Sequence, residues 1–217
     1  MSKPLMPLLA VLALAAPCLA ASPAAAQDPA PIVDGATLDP AHTSATFWIR
    51  HIAAPVAGRF NDAAGRIDIP AKAPDNGKIR FTVKTQSVDT GIAARDKHLR
   101  TADFLDTAAH PEMSFESDHI TPAGKGIYKV TGKLAIKGVS RTASLPVKYL
   151  GAKPHPMMPC VDVAGYETSF SIKRLEYHVG DGRFFKMGAV GDTVDIRIAG
   201  ETLAPRPDCV KPKQEKE

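Results

Sequence analysis

The chain of 217 residues carries 27 Lys and Arg against 23 Asp and Glu, a formal net charge of +4. Charges of both signs are mixed along it without a basic run, which argues against nucleic acid as a partner. The length suffices for one domain with a sizeable core, and the 44% hydrophobic share is raised by an apolar N-terminus.

That N-terminus reads MSKPLMPLLAVLALAAPCLAASPAAAQDPAP. Lys3 precedes an apolar run, Leu5 to Ala16, that is too short and alanine-rich for a membrane span. Ala24 to Ala26 then supply an A-x-A cleavage site, so residues 1–26 read as a secretory signal peptide and 27–32 as a disordered lead-in. A cut after Ala20 is the alternative, and Pro17 argues against lipidation at Cys18. No later segment approaches the ~18 apolar residues of a spanning helix. The expectation is an exported protein without an integral membrane segment.

From there the pattern has period two, the mark of half-buried strands. Phe47, Ile49 and His51 share one face of TFWIRHI. Phe60, Ile67 and Ile69 follow around NDAAG at 61–65, read as a tight turn. Ile79, Phe81 and Val83 alternate with charges, and Met113 and Phe115 repeat the pattern. In IYKVTGKLAIKG, Tyr128, Val130, Leu134 and Ile136 alternate with Lys129, Thr131, Lys133 and Lys137. Ala143, Leu145, Val147 and Tyr149 come next, then Tyr166, Phe170 and Ile172, then Val194, Ile196 and Ile198. Eight such strands, each with one dry face, predict an all-β antiparallel sheet that removes its edges by closing into a barrel. An eight-stranded barrel has room for packed side chains or one small ligand.

Two stretches break the alternation. SVDTGIAARDKHLRTADFLD suggests a short helix over about 92–105 across one barrel end, with Leu99, Phe104 and Leu105 capping the interior and Pro111 stopping it. LEYHVGDGRFFKMGAV, 175–190, is glycine-rich and carries Phe184 and Phe185, a second candidate lid. The chain after Leu203 reads as a flexible tail, 204–217.

Removal of the signal leaves Cys160 and Cys209, candidates for a disulfide in an oxidising compartment. His155, Met157, Met158 and Cys160 in HPMMPC are soft ligands that offer a copper alternative. His42 and His51 flank the first strand, which could bring them together at one end, but no histidine pair has helical metal-site spacing and no metal site is assigned. Around the predicted helix, Arg95, Asp96, His98 and Arg100 admit three readings: a His98 base oriented by Asp96, a headgroup contact from Arg95, His98 or Arg100, or pinning of the helix to the rim. No G-x-S-x-G or H-E-x-x-H accompanies them.

Three segments in order carry a resemblance. LDPAHTSATFWIRHIAAPVAGRF, with Asp39, His42, Phe47, His51, Gly58 and Phe60, looks like the first hairpin of the YceI-like family. The stretch from Ser87 to Ser117 is similar to that family's Arg-Asp-x-His-Leu-Arg region, and GKLAIKGVSRTASLPV to its strand pair. The resemblance covers about Val33 to Leu203. It implies a lipocalin-like barrel in the bacterial periplasm, a carrier of a polyisoprenoid or quinone-type chain, and no catalytic residues. KRLEYHVGDGRFFK departs from the family's Arg-x-Asp-Phe-Gly, and the HPMMPC loop and Cys209 tail are additions.

The expected ligand-binding interior is Phe47, Ile49, Phe60, Ile79, Phe81, Val83, Leu99, Phe104, Phe115, Tyr128, Val130, Leu134, Leu145, Val147, Phe170 and Ile172. Arg95, His98 and Arg100 are its expected rim. No cofactor is expected beyond the bound lipid or quinone. Transient membrane contact and a homodimer stay open, as does a lipid- or quinone-modifying enzyme.

Overall fold

The computed structural model describes residues 36–70, 73–206 and 209. The predicted signal peptide and lead-in lie outside these residues, as does most of the predicted tail. Eight strands follow one another: β1 (Ala36–Leu38 and Ser44–His51), β2 (Ala54–Phe60 and Ala63–Asp68), β3 (Lys78–Lys84 and Val88–Asp89) and β4 (Glu112–Gly124). Then come β5 (Ile127–Ile136), β6 (Val139–Pro154), β7 (Val161–Lys173) and β8 (Val190–Pro205). Each pairs antiparallel with its neighbours in sequence. β8 returns to β1, opposing Ile196 to Phe47 and Leu203 to Thr37, and this closes the barrel.

The first three strands break at one level. β1 is interrupted by a 3-10 turn, Pro40–His42, where Asp39 accepts from the Ala41 amide at 2.9 Å. β3 is interrupted by the turn Thr85–Ser87. The Ser87 hydroxyl accepts from the Asp62 amide at 3.1 Å and donates to the Lys84 carbonyl at 2.7 Å. NDAAG therefore is not a turn between strands, as the sequence suggested. Only Asn61 and Asp62 interrupt β2, Ala63 to Gly65 belong to its second segment, and the chain runs on in the same direction, with the Asn61 amide donating to the Ser87 carbonyl at 3.1 Å. The reversal lies at Ile52, in the left-handed region at φ 50°. The predicted turn at Lys137 and Gly138 does reverse the chain, with φ of 47° and 75°.

Near one end the barrel is solid. Ile69, Ile120, Val130 and Thr202 are almost completely enclosed, with Tyr128, Tyr149 and Tyr166 packed around them. Gly132 faces a bulge in β4, and a Cβ there would lie 2.2 Å from the Glu116 carbonyl, so a side chain would force the strands apart. At this floor a disulfide joins Cys160 to Cys209, with a Cα–Cα separation of 5.2 Å. The predicted tail is therefore tied in at Cys209, and β8 runs two residues beyond Leu203.

Helical pieces gather at the opposite end. α1 (Ala93–Leu99) is shorter than the predicted 92–105. After Leu99 the chain winds into turns, in which Leu105 N–H bonds Leu99 O and Asp106 takes φ 49°. The turns roll Phe104 and Leu105 inward, and both are buried. Between β7 and β8 lie a 3-10 turn, Arg174–Tyr177, and α2 (Arg183–Lys186). Among the described residues no helix is long and apolar enough to cross a membrane.

Candidate functional site

Strand alternation turns one apolar face inward, yet the inward side chains do not fill the barrel. Phe47, Ile49, Phe81, Phe170, Ile172 and Ile196 point to the interior and remain only half-buried. They face a cavity of about 550 Å³. Gly58 helps to keep it open: a Cβ at this position would lie 2.3 Å from Phe47 Cζ, so the Phe47 ring occupies the space of the missing side chain. The ring rests near Phe60, with centroids 5.6 Å apart.

Fourteen of the sixteen expected interior residues line this cavity: Phe47, Ile49, Phe60, Ile79, Phe81, Val83, Leu99, Phe104, Phe115, Leu134, Leu145, Val147, Phe170 and Ile172. Tyr128 and Val130 do not. They point inward but lie at floor level, where Val130 is fully enclosed and packed in the core. Period two reports the face of a sheet and not the depth along the barrel axis. The cavity is also lined by Tyr166, Val194, Ile196 and Ile198, whose alternation is visible in the sequence, by Val56 and Met187, which no periodicity marks, and by Phe184 from the second candidate lid.

The mouth lies between two lips, the α1 segment and the 174–190 segment. Phe104 from one stacks on Phe184 from the other, with centroids 6.1 Å apart and planes 15° from parallel. His98 meets Phe104 edge-on at 5.0 Å. Asp103 joins the lips: His98 Nε2 lies 3.1 Å from its Oδ2, and Arg183 Nη2 donates to the same oxygen at 2.8 Å. The His98 contact, then Arg183, holds the Asp103 carboxyl below its usual range.

Of the expected rim, Arg95 and His98 line the cavity and Arg100 does not. Arg95 Nε and Nη2 donate to the Thr90 hydroxyl and carbonyl, both at 2.7 Å. Arg100 Nε and Nη2 donate to the Gln86 and Val88 carbonyls at 2.9 and 2.7 Å. Both arginines thus tie α1 to the segment before it. Asp96 does not orient His98. Its Oδ1 accepts from the Thr90 amide at 2.9 Å and from the Thr90 hydroxyl. One buried arginine is not among those the sequence pattern singles out. Arg174 is 3% exposed and lines the cavity.

The other sequence candidates lie elsewhere. His42 binds Asp39 at 2.6 Å on the far side of Ser44–His51, while His51 lines the cavity at the mouth. Eight strand residues separate them by roughly 25 Å, so they do not meet. In the HPMMPC loop Cys160 is in the disulfide, and His155 Nδ1 accepts from the Met157 and Met158 amides at 3.1 and 2.9 Å. Among the described residues no group of three or more His, Cys, Asp and Glu side chains could hold a metal ion.

A closed eight-stranded antiparallel barrel is shared with known proteins. The sequence profile of the YceI-like domain matches residues 37–202. The chain belongs to the YceI-like family. A UPF0312 protein of Azotobacter vinelandii is 31% identical over 194 residues, which cover 89% of this chain and 95% of that one. A UPF0312 protein of Pectobacterium carotovorum is 32% identical over 161 residues, 74% of this chain and 80% of its own. The YceI-like barrel superposes on BcnA of Burkholderia cenocepacia with a TM-score of 0.66 and 25% identity, covering 77% of this chain and 99% of BcnA. A polyisoprenoid binding domain from Saccharophagus degradans shares the fold, with a TM-score of 0.58 at 15% identity, over 80% of this chain and 100% of that domain.

Proposed function

We propose that this YceI-like chain binds and carries a long hydrophobic lipid, a polyisoprenoid or a quinone-type chain, in the barrel lumen. The observation behind this reading is the apolar cavity of about 550 Å³, closed by a packed floor and open between two lips. An alkyl or prenyl tail in it gains about 0.8 kcal/mol per CH₂ removed from water, so tight binding needs no charged partner for the tail. The polyisoprenoid binding of the Saccharophagus domain supports the same ligand class for a shared architecture. The proposed setting is the periplasm, reached through the signal peptide read in residues 1–26. The lipid is cargo, and the proposal includes no resident cofactor and no catalytic step. The enzyme alternative draws little from the mouth, where His98 faces Asp103 and Asp96 is held by Thr90.

The test is extraction from a membrane. The purified protein is incubated with phosphatidylcholine vesicles containing ubiquinone, the vesicles are sedimented, and quinone is measured in the supernatant. Near-stoichiometric quinone with the protein is expected. Quinone no higher than with an unrelated protein would overturn the reading.

A further inference from the structure

Three segments bound the opening of the lumen: the tip between β1 and β2, the start of α1, and α2. Each holds a large apolar side chain out to solvent. Ile52 stands at the tip, Ile92 is the N-cap residue of α1, and Phe185 and Met187 lie on α2 and its C-cap. All four are half exposed or more. Their neighbours place them at the mouth. The Ile52 amide donates to the Ala189 carbonyl at 2.9 Å, and Ala189 and Met187 line the lumen. Thr90 and Arg95, on either side of Ile92 in the chain, line it too. None of the four takes part in the aromatic stack that joins the lips, which is made by Phe104 and Phe184.

Ile52 is an unusual residue for its turn. Its φ of 50° lies in the left-handed region, which disfavours a β-branched side chain and suits glycine or asparagine. The position therefore costs energy twice, in backbone strain and in apolar surface left in water. A surface that covered the Ile52 side chain would recover the second cost.

The charge around the mouth selects that surface. Segments 50–54, 92–99 and 181–189 together carry five Lys and Arg against two Asp. Asp96 is buried and accepts from the Thr90 amide. Asp181 accepts from the Arg183 amide at 3.0 Å and pairs with the Arg183 side chain, and Asp103 between the lips pairs with His98 and Arg183. By contrast Arg50, Lys97 and Lys186 are exposed and form no ion pair among the described residues. A stable protein interface has a continuous core from which charge is depleted. Separate apolar tips around a rim, with free cations among them, fit a lipid interface better. There the apolar side chains enter the acyl boundary and the cations meet anionic headgroups.

We propose that the mouth docks on an anionic bilayer, with Ile52, Ile92, Phe185 and Met187 inserted and Arg50, Lys97 and Lys186 against the lipid phosphates. The proposal goes beyond the carrier reading and does not depend on it. In this pose the lumen opens toward the hydrocarbon.

The test is co-sedimentation of the protein with vesicles that contain no prenyl lipid. One set is phosphatidylcholine alone, the other equal parts phosphatidylcholine and phosphatidylglycerol. The wild type is expected to favour the anionic vesicles by roughly tenfold to a hundredfold, the reach of three cations near such a surface, and to lose the preference in high salt. Lys97→Gln with Lys186→Gln is expected to reduce the preference by roughly tenfold. Ile52→Asn suits the left-handed turn, so it is expected to raise the melting temperature while weakening binding to the anionic vesicles several-fold, an opposition that damage to the fold would not produce. Leu150→Ser is the control: Leu150 is as exposed as Ile92 but lies on the outer wall beside Tyr149 of the floor, and binding should stay within about twofold. Equal binding of the wild type to both vesicles, undiminished binding of Ile52→Asn, or an equal loss in Leu150→Ser would overturn the proposal. A wild-type dimer that Ile52→Asn dissociates, without vesicle binding, would assign the patch to a second copy and overturn it too. Quinone extraction can fail while docking holds, and the reverse, so the two readings fall separately.

Discussion

The two ends of the barrel are built from the same alternating strands but differ in how they treat an inward side chain. At the floor Ile120 and Val130 are fully enclosed, and three tyrosines pack around them. At the mouth Met187, which lines the lumen, is 74% exposed, and the lumen behind it is hollow. Cross-links follow the same division. The floor has a disulfide, whereas the lips meet through an aromatic stack and the exposed carboxylate of Asp103. Stability thus concentrates at one end, and the other end can leave apolar surface uncovered and separate its lips with little loss of core. A barrel packed evenly from end to end would have no site.

That contrast is open to attack from its stable side first. Ile120→Ala is expected to cost about 2–5 kcal/mol, toward the upper end because no neighbour can relax into a fully enclosed site. Lipid affinity of the folded fraction should not change. Denaturant unfolding with and without ligand separates the two effects. Next, Cys160→Ser opens a loop with a sequence separation of 49 residues. The chain-entropy model puts the loss at up to about 4 kcal/mol, and binding should again persist in the folded protein.

The tyrosines give a pH test of the floor. All four in the chain, Tyr128, Tyr149 and Tyr166 at the floor and Tyr177 in the lip turn, are pushed above the ordinary phenol value, each chiefly by burial. Tyr166 is pushed furthest, with Tyr149 and Tyr128 adding and Thr202 opposing. The native state then holds more protons than the unfolded chain above pH ~10, so this stabilisation is complete below pH ~10 and is lost as pH rises. In an alkaline titration, phenolate absorbance should appear together with unfolding rather than ahead of it.

The smallest effect belongs to the mouth. Asp103→Asn removes the carboxylate shared by His98 and Arg183. Such exposed contacts are weak, so bound lipid should dissociate only slightly faster, with no change in melting temperature. Because the Asp103 carboxyl is held below its usual range, the link stands above pH ~3.9 and is lost as pH falls through the lowered value. Stopped-flow release of a bound lipid in wild type and variant, across that range, checks both statements.

Much of the stable end and the wall could be read in the sequence. The alternation in IYKVTGKLAIKG matches β5, Ile127–Ile136, and its reversal at Lys137–Gly138. Other features were hidden for definite reasons. Tyr128 and Val130 have the same period as Leu134, and only the closed barrel tells floor from lumen. NDAAG has turn composition, but its amides are satisfied by Ser87, which is distant in sequence. His98 meets Asp103 through turns that follow the helix, not Asp96 two residues before it. Arg174 looks like one more charge at a strand end, and its burial depends on the fold of a glycine-rich lip.

The central claim is that the hollow lumen holds a hydrophobic chain. The most direct measurement is native mass spectrometry of protein purified without detergent, comparing the wild type with Ile196→Trp, which fills the lumen from a wall position. The account predicts a stoichiometric adduct of isoprenoid mass on the wild type and none on a folded Ile196→Trp. A bare wild-type mass, or an adduct that persists on the variant, would contradict it.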